Sequence, residues 1–172
     1  MKLLGIAGYS GSGKTTLIER VIPILVREGL RVSLIKHAHH EFDIDHPGKD
    51  SYRHRQAGCT EVLVSSSNRW AVIHELRGAS EPSLQDQAKH LSPCDVVIVE
   101  GYKYANIPKV EVHRKSAGAP LLHPTDPMVI AVATDEPLAT SLPQFRIDDA
   151  EGVALLVIKH LGLHRARLEV VR

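Results

Sequence analysis

Cysteine is scarce: the 172 residues hold two, Cys59 and Cys94, far apart and outside any CxxC pair. That excludes a disulfide framework and a cysteine-based zinc site, and it suits a reducing compartment. A surplus of one charge is missing as well. Twenty-one Lys and Arg stand against twenty Asp and Glu, interspersed, for a formal net charge of +1. Such a balance leaves no electrostatic footprint for a nucleic-acid or membrane-surface partner. No apolar run approaches the roughly 20 residues of a membrane-crossing helix. The chain also runs directly into a strand pattern at its start, with no leader before it, so the expectation is a soluble, cytoplasmic protein. Internal repeats are absent. With 43% hydrophobic residues the length suits one well-buried domain and falls short of two typical ones. We expect a single domain over residues 1–163 and a locally basic C-terminal extension over 164–172.

What is present is organised around residues 8–16, GYSGSGKTT, which match the P-loop pattern GxxxxGK[ST] through Gly8, Gly13, Lys14 and Thr15. The context fits: a short apolar strand precedes it at residues 3–7, and apolar residues at helical spacing follow, Leu17, Ile18, Val21, Ile22 and Leu25. A loop of this kind turns successive backbone N–H groups toward a phosphate, and the next helix adds the positive end of its dipole. Gly11, Ser12, Gly13, Lys14, Thr15 and Thr16 are the candidate phosphate ligands. Lys14 should reach the β- and γ-phosphates, and the Thr15 hydroxyl should complete the coordination of a magnesium ion.

Downstream, Gly29 closes the helix, and Pro23 inside it should produce a kink at a local cost of about 3 kcal/mol. Residues 31–36 read as a second strand, giving a βαβ unit with parallel strands. Residues 37–50, HAHHEFDIDHPGKD, form a long polar connection of the sort that carries function. A short helix over 51–57 should precede two strands, 60–65 and 69–75, joined closely enough to form an antiparallel hairpin. A helix over 83–91 follows, then a buried strand over 95–99, strands over 109–113 and 128–133, and a closing helix over 148–161 with an Asp cap. The fold class is therefore α/β: a P-loop NTPase with a doubly wound, mostly parallel sheet and an antiparallel hairpin.

A magnesium-dependent site needs an acid at the end of a strand beside the P-loop strand, and Glu100 stands there in place of the usual Asp. Asp45, in the loop after the second strand, is a second metal acid; Asp43 and Asp50 are solvated alternatives. Lys14, Asp45 and Glu100 make up the candidate catalytic set, with Thr15, Asp45 and Glu100 on the metal. Thr134 and Asp135 end a late strand, where an Asp can select a guanine base or equally cap a turn. His37, His39, His40, His46 and His54 form the densest histidine cluster and could bind zinc or nickel, although no cysteine pair accompanies them.

With these residues in view, the chain resembles the MobB family. The segments that carry the likeness are GYSGSGKTT, VSLIKHAHHEFDIDHPGKDSYRHRQAG, DVVIVEGYK and IPKVEVHR, which occur in this order over most of residues 1–113. The resemblance implies a GTP-binding adaptor of molybdenum-cofactor guanine dinucleotide synthesis, using GTP with Mg2+, hydrolysing GTP slowly and forming a homodimer. It also implies molybdopterin as the handled intermediate, with a molybdenum cofactor guanylyltransferase and a molybdenum-inserting enzyme as partners. Slow turnover suits the absence of an obvious Gln or Arg finger, a group worth about 10³ to 10⁵ in rate. Two other classes remain at this stage. One is a small-molecule P-loop kinase, for which Arg53, Arg55 and Arg69 are scattered singly without a lid pattern. The other is a metallochaperone GTPase that binds nickel or zinc through the loop from His37 to His46.

Overall fold

The computed structural model describes residues 1–38 and 42–163. The described residues fall into two compact units, Met1–His37 with Leu84–Arg172, and Ala38–Ser83. The expected extension over 164–172 and the histidines His39 and His40 lie outside the described residues.

The larger unit begins with β1 (Lys2–Ala7), α1 (Lys14–Arg27) and β2 (Val32–Lys36), and resumes with α3 (Leu84–Lys89), β5 (Val96–Glu100) and β6 (Lys109–His113). A 3₁₀ turn (Lys115–Ala117), β7 (Val129–Thr134), β8 (Gln144–Arg146) and α4 (Ala150–Leu161) complete it. The smaller unit holds α2 (Asp50–Gln56), β3 (Glu61–Ser65) and β4 (Trp70–His74).

Six strands form one sheet in the order β2-β5-β1-β6-β7-β8, and every neighbouring pair is parallel. β3 and β4 form the separate antiparallel hairpin, with Leu63 opposite Val72. β8 is the strand that the sequence pattern does not reveal. Helix α1 continues through Pro23, two turns beyond its start, and α4 is capped by Asp149, whose carboxylate accepts the Gly152 N–H at 2.9 Å.

Strands of a parallel sheet are covered on both faces and read as continuous apolar runs. β5 is the extreme case: all five of its residues are buried. On one face, Leu17, Ile18, Val21 and Leu25 of α1 and Val153, Ala154 and Val157 of α4 pack on Leu4, Ile6, Ile98, Val110, Val112 and Ala133. On the other, Leu84 and Ala88 of α3 cover Ile35, Val97, Val99 and Ile107. Chain order reverses around β1: the chain passes to β2 and β5 on one side and to β6 and β7 on the other. The loop leaving β1 thus opens at the point where such sheets place their ligands, between the ends of β5 and β6.

Candidate phosphate site

Two glycines of this loop are dictated by space and backbone. Gly8 has φ 150°, and a Cβ there would stand 2.3 Å from the Val112 carbonyl oxygen on β6 and 2.8 Å from Ser12 Oγ. No side chain fits, so the loop can leave β1 only through glycine. Gly13, at φ 98°, occupies the cap of α1 with no side-chain cap bond, which leaves the first N–H groups of that helix available to an anion.

Ser12 carries the loop's second mark of a ligand site. It is 2% exposed, and its hydroxyl is the one buried side-chain polar atom among the described residues without a hydrogen-bond partner. A buried hydroxyl left unsatisfied costs free energy, and native structures keep few of them without a reason.

Lys14 Nζ donates to the Tyr9 carbonyl at 2.8 Å, inside the curve of the loop. Burial is the main influence on its ammonium and holds the pKa below the ordinary lysine value; the nearby Lys103 and Lys36 push the same way, and Glu100 opposes them. One carboxylate thus faces three lysine ammoniums, an imbalance that a polyanion would correct.

Glu100 ends β5, and Thr15 begins α1. Their side chains meet: the Thr15 hydroxyl donates to Glu100 Oε1 at 2.6 Å, and Lys36 Nζ stands 3.5 Å from Glu100 Oε2. Glu100 is 6% exposed. Immediately after it, Gly101 and Tyr102 both adopt positive φ, 94° and 41°; for Tyr102 this is a strained conformation of the kind that collects at functional sites.

The remaining sequence candidates have contacts of their own. Thr134 is buried, and its hydroxyl donates to the Glu136 carbonyl at 3.0 Å and receives the Glu136 N–H at 3.3 Å, which forms a local turn. Asp135 accepts the Lys115 N–H at 2.9 Å and so caps the 3₁₀ turn after β6. Asp45 belongs to the smaller unit. Its carboxylate accepts from Ser51 Oγ at 2.9 Å and from Arg55 Nε at 3.3 Å. Although burial pushes its pKa up, these donors and the His46 N–H outweigh burial and hold it below the usual carboxylate range. Asp43 and Glu75 complete the set around Arg55, at 2.8 and 2.5 Å. Among the described residues no three His, Cys, Asp or Glu side chains converge as a metal site.

One neighbour of the loop escaped the sequence reading. Arg114 follows β6, and its Nη2 would lie 3.5 Å from a Cβ placed on Gly13. The available signal was position: a cation at the end of a strand adjoining the P-loop strand, as Glu100 is an acid at the end of the other.

A family model described as "MobB: Molybdopterin guanine dinucleotide synthesis protein B" matches residues 3–135, a span that contains Thr15, Glu100 and Arg114. The chain belongs to the MobB family. A relative from Escherichia coli K12, named molybdopterin-guanine dinucleotide biosynthesis adapter protein, is 43% identical over 160 residues, 91% of either chain. One of the same name from Haemophilus influenzae is 45% identical over 136 residues, 79% of this chain and 76% of that one. Among solved structures, a crystal structure of molybdopterin-guanine biosynthesis protein B superposes with a TM-score of 0.73 at 29% identity, covering 92% of this chain and 99% of the other. A MobB homologue from Bacillus stearothermophilus does so with a TM-score of 0.70 at 25% identity, over 95% and 100%. No described helix of this MobB chain is long and apolar enough to cross a membrane.

Proposed function

We propose that this chain is a GTP-binding adapter of molybdopterin-guanine dinucleotide biosynthesis that hydrolyses GTP slowly in the presence of Mg2+. The observation that carries the reading is the 2.6 Å contact between the Thr15 hydroxyl and Glu100 at the mouth of the glycine loop. The orphaned Ser12 hydroxyl and the surplus of ammonium groups support a phosphate ligand there.

In this reading Gly11, Ser12, Gly13, Lys14, Thr15 and Thr16 hold the phosphates, and Thr15 and Glu100 hold the magnesium ion. The ion supplies neutralisation of charge between the β- and γ-phosphates. We propose Asp45 as a further metal acid and the loop before α2 as a nucleotide-sensitive switch. Asp135 selects guanine with the carboxylate oxygen that Lys115 leaves available. As an adapter the chain acts on a guanylyltransferase and a molybdenum-inserting enzyme, with molybdopterin as the shared intermediate, in the cytoplasm. The homodimer finds support in one face of the hairpin, where Leu63, Trp70 and Val72 are exposed side by side.

Calorimetric titration with GTP and with ATP, each with and without Mg2+, tests the reading. We expect GTP to bind more tightly, and Glu100→Gln to remove the magnesium dependence while sparing metal-free binding. A Glu100→Gln protein with equal losses in both conditions would return Glu100 to a structural role, and tighter binding of ATP would overturn the guanine assignment.

A further inference from the structure

β6 carries a buried charge that the phosphate site does not use. Lys109 is 1% exposed. Its ammonium donates to the Lys103 carbonyl at 2.8 Å, to the Ala105 carbonyl at 2.7 Å and to Asp126 Oδ2 at 2.6 Å, so all three protons are spent. Space for it is made on β1. Gly5 is its registered partner, and a Cβ on Gly5 would come within 2.8 Å of Lys109 Cβ. Burying an ammonium costs several kcal/mol before its partners return any of it, and an apolar side chain would fill the same volume without that cost. What the apolar side chain cannot do is tie two carbonyls of the β5–β6 loop to the sheet.

The first tied carbonyl lies three residues after Glu100 and is that of Lys103. The Lys103 ammonium stands 4.1 Å from the centre of the Tyr9 ring, inside the phosphate-loop motif, and 5.9 Å from that of Tyr104. Among the described residues no carboxylate pairs with it. Lys14 meets the same residue, its ammonium donating to the Tyr9 carbonyl at 2.8 Å. An exposed lysine next to an acid would pair with it; this one rests on an aromatic face beside another cation, which is stable when desolvation is partial and an anion can arrive.

We propose that Lys103 is a further phosphate-contacting cation, seated on Tyr9 and set in place by the Lys109–Asp126 pair, and that it meets the terminal phosphate of a bound nucleoside triphosphate. This rests on the nucleotide reading above and adds to it the group that distinguishes triphosphate from diphosphate. Lys103 touches the ligand; Lys109 is a positioning residue.

The test compares wild type, Lys103→Met, Lys103→Arg and Asp126→Asn by calorimetry with GppNHp and GDP, and in parallel with AppNHp and ADP, all with Mg2+. Met keeps the length of the stem and removes the charge. Lys103→Met should weaken the triphosphate analogue by about tenfold or more and the diphosphate by less than about threefold, the loss of one charge-assisted contact. Arg should restore most of the difference. Asp126→Asn should move the triphosphate-to-diphosphate ratio in the same direction by a smaller factor and add little in a Lys103→Met background. A Lys103→Met ratio equal to wild type would overturn the contact, and an Asp126→Asn ratio equal to wild type would overturn the positioning. Wild type that binds none of the four nucleotides would overturn the nucleotide reading itself, and this inference with it.

Discussion

Every buried apolar side chain described lies in the larger unit, whereas within the described part of Ala38–Ser83 the single buried residue is Arg55, 7% exposed. The sheet unit is held by packing: β5 is buried along its whole length, and two layers of apolar side chains close over it. The smaller unit is held by charge. Arg55 gathers Asp43, Asp45 and Glu75, and Arg77 donates to the Arg55 and Cys59 carbonyls, while Leu63, Trp70 and Val72 of the hairpin face solvent. A close-packed core keeps the phosphate loop in one geometry. An ion-pair cluster instead fixes a loop in a way that another charge can undo.

Three changes would break or sharpen this contrast. The largest effect belongs to the core. Ile98→Ala should destabilise the protein by about 2–5 kcal/mol in a urea titration, because the cavity opens in a fully buried strand flanked on both sides. Next comes Arg55→Met, which leaves three acids together without their cation. Amides of α2 and the hairpin should then exchange about tenfold faster or more, with those of β1 and β5 unchanged. Comparable acceleration in β5 would show that the two units share one cooperative transition. The smallest effect is expected for Val64→Ala, within about 0.5 kcal/mol, because Val64 is already 46% exposed.

Acid bears on the carboxylates of the smaller unit. The Arg55 contact holds the Asp43 carboxyl below its ordinary range, and the donors around Asp45 do the same against burial. A depressed carboxyl pKa stabilises the folded form above the unfolded value of about 3.9 and ceases to do so as pH falls through the folded value. Protection of the amides in residues 42–77, taken relative to the intrinsic exchange rate at each pH, should therefore fall on going from pH 5 to pH 3, ahead of that in β1 and β5.

How much of this was legible follows the same division. Apolar runs announced β1, β5 and β7 to within about a residue, because burial on both faces leaves no ambiguity of period, and β2 was as close although only Ile35 of it is buried. The Thr15–Glu100 contact was foreseeable, since the motif and the parallel order together fix which strand end faces the loop. β8 was not legible: three residues with only Phe145 partly buried, next to Pro143, give no pattern. Nor was the Arg55 cluster, whose acids lie 10, 12 and 20 residues away and whose meeting depends on tertiary structure. β6 misleads outright. Lys109, Glu111 and His113 alternate as on a solvated face, yet Lys109 and Glu111 are 1% exposed, with Glu111 accepting the Leu122 and His123 N–H groups.

The position of β1 has a consequence for synthesis. Its two sheet neighbours are residues 96–100 and 109–111, so this strand, once made, has no sheet partner until some ninety later residues have been made. At about 5–20 residues per second that interval is on the order of 5–20 s. During it the nascent chain carries an apolar strand and a glycine loop without their sheet neighbours, so the candidate phosphate site cannot form before β5 enters between β1 and β2.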